Sequence, residues 1–243
     1  MLLAKGVFIV CTYAAFILLP RLLGSASEFG RFAAVMALVG MLANVIVATL
    51  MQSVSRTSAR AADLPNAQRD VRYQAARRLG GPALLFSALL AALAGPIARG
   101  LQDDSLTTLL RWGALGLGAY SLHAIAVGSL NGRKAFKHQA LVDMTLSSLR
   151  LGAFVFGAVA LGTAEGPLTG FGIVVAVAAC SSWALAKRLD RATPSTPQSH
   201  PDSVPALTPA ARVPFTGALL LFHLGVGALL QADIVLMKAR ISY

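Results

Sequence analysis

The chain has 243 residues, of which 56% are hydrophobic and only 13% charged, and its mean hydropathy is +0.68. One soluble core of this length cannot hide so much apolar surface, which excludes a water-soluble globular domain and implies an integral membrane protein. The net charge of +11 invites a nucleic-acid partner, but the placement of the charges argues against one.

Seven long apolar stretches predict an all-α, polytopic transmembrane helix bundle of about seven spans, near residues 2–23, 32–54, 82–98, 112–130, 140–162, 168–186 and 214–237. A bilayer core takes about 20 apolar residues per helical span. The runs are continuous, not the short alternating segments of a barrel, so helices are expected. The first stretch has a second reading as a cleavable signal peptide, with Lys5 ahead of residues 6–19 and the small residues Gly24, Ser25 and Ala26 behind them. The charge pattern does not decide between the two, because removal would leave six spans with both ends outside.

Between spans two and three, residues 55–81 interleave Arg69, Arg72, Arg77 and Arg78 with Val71, Tyr73, Ala75, Ala76 and Leu79. Both a basic interfacial helix and a solvated loop fit. Gly80-Gly81-Pro82 is expected to break the helix before the third span. That third span is the shortest.

Basic residues alternate from side to side. Arg56, Arg60, Arg69, Arg72, Arg77 and Arg78 follow the second span, Arg133, Lys134 and Lys137 the fourth, and Lys187, Arg188, Arg191 and Arg212 the sixth, with Lys5 before the first. The opposite side carries fewer, among them Arg21, Arg31, Arg99 and Arg111, and holds Asp103, Asp104 and Glu165. The positive-inside rule then puts the N-terminus in the cytoplasm and Tyr243 outside. The basic loops also suit anionic lipid headgroups.

Residues 191–213 carry Pro194, Pro197, Pro201, Pro205 and Pro209 among Ser and Thr. This composition reads as an extended cytoplasmic linker. It divides the chain into a six-span N-terminal lobe over 1–190 and a lone seventh span over 214–243, the expected start of an incomplete second lobe. Cys11 and Cys180 fall inside spans, which speaks against a structural disulfide.

Ionisable groups within spans are functional candidates by default. Arg150 leads them. The apolar run after it, 151–162, is too short to cross alone, so the span starts near Ala140 and Arg150 lies well below the surface. Asp143 and Ser147 share its helix face, with Asp143 about 10 Å away along the axis. The stripe fits a hydrated cavity for an anionic headgroup; the alternative is that Arg150 snorkels toward Arg133 and Lys134. His123, beside Tyr120 and Ser121, reads as an interhelical hydrogen bonder before a proton relay, and Asn44 as packing glue. His223, Gln231 and Asp233 lie in the seventh span, where Asp233 faces either Lys238 or a cavity. Gly113, Gly116, Gly118, Ala153 and Gly157 predict close helix contacts.

No catalytic triad, HExxH, Walker loop or dinucleotide fingerprint occurs. Asp103-Asp104 alone is weak support for a prenyl-diphosphate enzyme. Neither an enzyme nor a cofactor or metal is expected.

Arg21-Leu22-Leu23-Gly24, then Glu28-Phe29-Gly30-Arg31-Phe32, then a helix ending near Gln52-Ser53-Val54-Ser55-Arg56, resembles the oligosaccharide flippases, the polysaccharide-export branch of the multidrug/oligosaccharidyl-lipid/polysaccharide transporter superfamily. Leu130-Asn131-Gly132-Arg133 with Phe136, and Ala232-Asp233-Ile234-Val235-Leu236, continue the likeness over nearly the whole chain. The resemblance implies two six-helix lobes around a central cavity. It implies alternating access that carries polyprenyl-diphosphate-linked oligosaccharide across the bacterial inner membrane for polysaccharide or lipopolysaccharide (O-antigen) export. A cationic cavity suits the diphosphate, and Arg150 and Arg56 are what this chain offers. Only the first lobe and the start of a second are matched, so a fragment or truncation is expected. Proton or sodium coupling, and envelope-polymer assembly proteins as partners, stay open. Two rivals remain. One is an exporter of small amphiphilic cations, for which Asp143 and Asp233 would be the buried acids. The other is a non-transporting membrane scaffold of envelope-polymer synthesis.

Overall fold

The computed structural model describes residues 2–61, 65–192 and 225. The helices are α1 (Leu2–Leu22), α2 (Ala26–Arg60), α3 (Pro65–Ala75), α4 (Gly81–Ala92), α5 (Ala94–Gly100), α6 (Leu106–Gly132), α7 (Phe136–Leu161) and α8 (Glu165–Ala192), with a π-turn at Ala76–Gly80. No strand occurs among the described residues. α1, α2, α6, α7 and α8 are each long and apolar enough to cross a bilayer, and the bent pair Arg69–Ala92 and Ala94–Gly100 passes the same test when its halves are taken together, as a broken span or a re-entrant loop. This is an all-α polytopic bundle in which the expected spans one, two, four, five and six appear in order as long helices and the third as the bent pair. Of the expected linker 191–213, Arg191 and Ala192 belong to α8, and the rest lies outside the described residues, as do His223, Gln231 and Asp233 of the seventh span.

The short third span is a broken one. Its two halves meet at 53°, around Leu93. Pro96 lacks an N–H for the Ala92 carbonyl and its ring crowds that carbonyl, which bends the helix one turn upstream. The expected break at Gly80-Gly81-Pro82 does not occur. Gly80 and Gly81 keep right-handed helical dihedrals, and the Gly81 N–H reaches back five residues to Ala76 O. The wider π-turn accommodates Pro82 at the first turn of α4, a position where no N–H is missed. The basic segment before it is therefore helical and runs straight into the membrane span.

α6 is the axis of the bundle, with 78% of its most apolar window buried, against 22–33% in the other long helices. α2, α4 and α8 pack on it; α7 packs on α8, and α1 on α7. α1 touches α2 little, and α6 touches α7 little, so the pairs α2–α6, α6–α8 and α1–α7, distant in sequence, hold much of the bundle together with the consecutive pair α7–α8. Lipid is as apolar as the helices, so close packing and polar contacts must hold them. Glycine makes the close packing. A Cβ on Gly128 would lie 2.8 Å from the Met51 carbonyl oxygen of α2, and one on Gly113 would lie 2.6 Å from Val39. On α7, Gly157 meets the backbone of Gly166 in α8, and Ala153 meets Gly170 one turn further on. The glycines expected at close contacts are at close contacts. Large apolar side chains left exposed, such as Val10, Tyr13 and Ile17 on α1, Leu85 and Leu89 on α4 and Phe156 on α7, form the surface that acyl chains would cover.

The turn after α1 explains its sequence. Ser25 is extended (φ −156°, ψ 159°) and its hydroxyl accepts from the Glu28 N–H at 3.2 Å, capping α2. Glu28 then serves two partners: it accepts from Arg31 at 2.6 Å and from the Ala164 N–H at the start of α8 at 2.7 Å. Arg31 also holds Asp103 at 3.1 Å, and the Gly24 N–H donates to Gly162 O at 3.0 Å. Gly162 itself ends α7 at φ +65°. The loops after α1, α5 and α7 are thus latched together at one end of the bundle.

Candidate functional site

Arg150 lies fourteen residues into α7 from Phe136 and eleven short of Leu161. At 1.5 Å per residue that is about 20 Å from one end and 16 Å from the other, near the middle of a bilayer. Its Nη2 donates to Thr12 Oγ1 of α1 at 3.0 Å, and its guanidinium sits 5.0 Å from the Phe8 ring centroid. Thr12 in turn donates to Phe8 O at 2.7 Å. Both partners of Arg150 are neutral, and no carboxylate among the described residues forms an ion pair with it. Tyr120, midway along α6, is within electrostatic reach of both Arg150 and Asp143, so α6 and α7 present polar groups toward common ground. Arg150 turns to α1, where Thr12 and Phe8 are its contacts.

The rest of the expected stripe divides. Ser147 is buried and donates to Asp143 O of its own helix at 2.7 Å, a local bond that leaves its hydroxyl turned away from Arg150. Asp143 is partly buried, one turn after its neighbour Gln139. Asp143 and Arg150, two turns apart, do not pair.

His123 is 3% exposed. Ser182 of α8 donates to Ala178 O at 2.6 Å and lies 2.9 Å from His123 Nδ1. With its proton committed, the serine oxygen accepts, which assigns the imidazole hydrogen to Nδ1. Tyr120 stacks on the ring at 5.7 Å. His123 is an interhelical tie between α6 and α8, the first of its two expected roles. Asn44 is exposed midway along α2, so it is not packing glue between these helices; Gln52 and Arg56 follow it on the same exposed flank. α2 is 35 residues long, about 52 Å, so Arg56 lies beyond the hydrocarbon core at the basic end. Arg150 and Arg56 are thus separate positions, one at mid-depth and one at the surface. Asp233 falls outside the described residues.

A second polar assembly was not expected. At the basic end, Asp190 of α8 takes Arg72 of α3 on Oδ2 at 2.6 Å and Arg133, at the end of α6, on Oδ1. The Arg72 side chain is 1% exposed and lies against the rings of Trp183 (5.4 Å) and Tyr73 (5.9 Å). Trp183 is anchored by its Nε1–H on Leu122 O at 3.0 Å. Arg72 Nε, Arg72 Nη1 and Arg133 Nε are buried without a hydrogen-bond partner. Thr12, Tyr120, Arg72 and Asp190 are the residues sequence reading missed as site members. Tyr120 had one signal, its place three residues before His123.

Comparison with known proteins finds no match: no protein family, no curated protein and no solved structure matches this chain.

Proposed function

We propose that the chain carries an anionic, lipid-linked substrate, of the polyprenyl-diphosphate oligosaccharide class, across the bacterial inner membrane, with the basic end in the cytoplasm. The observation that carries this reading is Arg150. A guanidinium near mid-bilayer with, among the described residues, only a hydroxyl and a ring for partners is costly, and an anion passing that depth would compensate it. Tyr120, within reach of Arg150 and of Asp143, makes the surrounding ground polar. Asn44 and Gln52, exposed along α2, extend polar surface from mid-depth toward the basic end. The sequence likeness to oligosaccharide flippases supports the same substrate class. Six spans form one lobe of such a transporter, whose second lobe supplies the opposing wall.

The test is export in a host strain deleted for the gene and complemented with Arg150→Ala or Arg150→Lys. Losing a charge-assisted contact should lower export of the surface glycan roughly tenfold or more in Arg150→Ala, with the lipid-linked precursor accumulating inside. Arg150→Lys should recover part of it. Normal export by an Arg150→Ala protein present at the normal level would reject this reading.

A further inference from the structure

We infer that the Arg72–Arg133–Asp190 cluster is a binding site for a phosphate oxyanion, set between the three basic segments and separate from the transport path. The charge count comes first. Two guanidiniums share one carboxylate, so among the described residues one positive charge has no counter-ion in a buried place. The hydrogen-bond count agrees. Arg72 uses only Nη2 on Asp190, and its Nε and Nη1 are buried without an acceptor, as is Nε of Arg133. These unmet donors belong to the two side chains that already converge on Asp190. Water or protein would normally meet them, since buried N–H groups rarely stay unpaired. The Trp183 and Tyr73 rings soften the excess charge but accept no strong hydrogen bond.

A guanidinium fork matches phosphate geometry, and two forks converging on one point make a stronger receptor than surface lysines. The location fits a phosphate as well. Arg133 ends α6 and Asp190 is near the end of α8, which puts the cluster at the level of headgroups. Exposed Arg69, Arg77 and Arg78 stand on the same segment as Arg72 and would draw anions to it. The donors are covered in the empty protein, so entry requires side-chain movement. Arg133, 13% exposed, is the member that faces outward. The same oxyanion could come from an anionic phospholipid or from free phosphate.

The experiment uses the full chain purified in detergent. Thermal unfolding is followed against inorganic phosphate, with chloride at matched ionic strength, and lipid retention is followed by native mass spectrometry with phosphatidylglycerol against phosphatidylcholine. Wild type should gain Tm with phosphate beyond the chloride control, or retain phosphatidylglycerol selectively; the first identifies a site open to the free anion, the second a headgroup site. Arg133→Gln, which keeps the Arg72–Asp190 pair, should weaken either response roughly tenfold. Asp190→Asn removes the competing acid and keeps both forks, so it should melt lower without phosphate yet respond more strongly to it. A purely structural cluster predicts the lower Tm without the stronger response. The inference is overturned if wild type shows neither response, if Arg133→Gln matches wild type, or if Asp190→Asn responds less than wild type.

Discussion

The two ends of the bundle are fastened by ion clusters of opposite proportion. At the basic end, one acid, Asp190, is shared by Arg72 and Arg133; at the other, one base, Arg31, is shared by Glu28 and Asp103. Each cluster joins the three connections at its end, so each sets how the helices converge there. They differ in what becomes of the surplus charge. The surplus carboxylate, on Glu28, meets the Ala164 N–H at the start of α8, where the helix dipole favours an anion. The surplus guanidinium at the basic end lies against aromatic faces and has no second acid among the described residues. Burial sharpens the contrast: Arg72 is 1% exposed and Arg31 is 31% exposed. One latch is complete among the described residues, and the other, on the inference above, is completed by an added anion.

Removing the shared member should break each latch, and the losses should be unequal. Asp190→Ala leaves two guanidiniums unpaired, one of them fully buried. It should destabilise by about 3–5 kcal/mol, read as a fall in Tm or a loss of folded protein in detergent. Glu28→Ala, at the other end, removes the Ala164 contact and one Arg31 contact from a partly exposed place. About 1–2 kcal/mol is expected there, by the same melting measurement. Equal losses would mean that burial does not distinguish the two ends.

A third substitution isolates the surplus charge. Arg72→Met keeps the Arg133–Asp190 pair, keeps an apolar stem against Trp183, and removes the unmet donors. Exchanging a buried charge for an apolar residue of similar size is often neutral or stabilising, so the change in phosphate-free buffer should be within about 1 kcal/mol of zero. A loss near that of Asp190→Ala would show that the empty cluster is already satisfied.

Most of the membrane architecture was legible because the bilayer imposes it. A span of some twenty apolar residues needs no tertiary information, and five of the expected seven appear in order as single long helices. What was not legible depends on residues remote in sequence. Arg72 and Asp190 are 118 positions apart, and Arg31 and Asp103 are 72 apart. In the sequence, Arg72 and Arg133 belong to a run of topological arginines and nothing separates them from Arg69 or Lys134. Burial separates them. The Gly80-Gly81-Pro82 break failed for a related reason: a local rule assigns a stop, and a π-turn absorbs it. The motif that suggested a family has a physical role of its own, since Gly24, Glu28 and Arg31 build the complete latch. For the midplane, the depth of Arg150 followed from span length alone, whereas its partner Thr12 lies 138 positions away on another helix.

The smallest expected effect is on Arg31 itself. Arg31→Gln removes the shared base, yet Glu28 keeps the Ala164 N–H and Asp103 keeps the Ser105 hydroxyl. Both acids stay solvated enough to tolerate the loss, and exposed pairs contribute about 0.2–1 kcal/mol. The difference between Arg31→Gln and wild type should shrink as salt is raised, because the Debye length falls from about 10 Å at 0.1 M to 3 Å at 1 M. The difference between Asp190→Ala and wild type, between buried charges, should persist across the same range. Melting both pairs over a chloride series separates a screened latch from an unscreened one. If the Asp190 effect also faded with chloride, the basic end would be reached by solvent, and the contrast between the two ends would be one of charge sign alone.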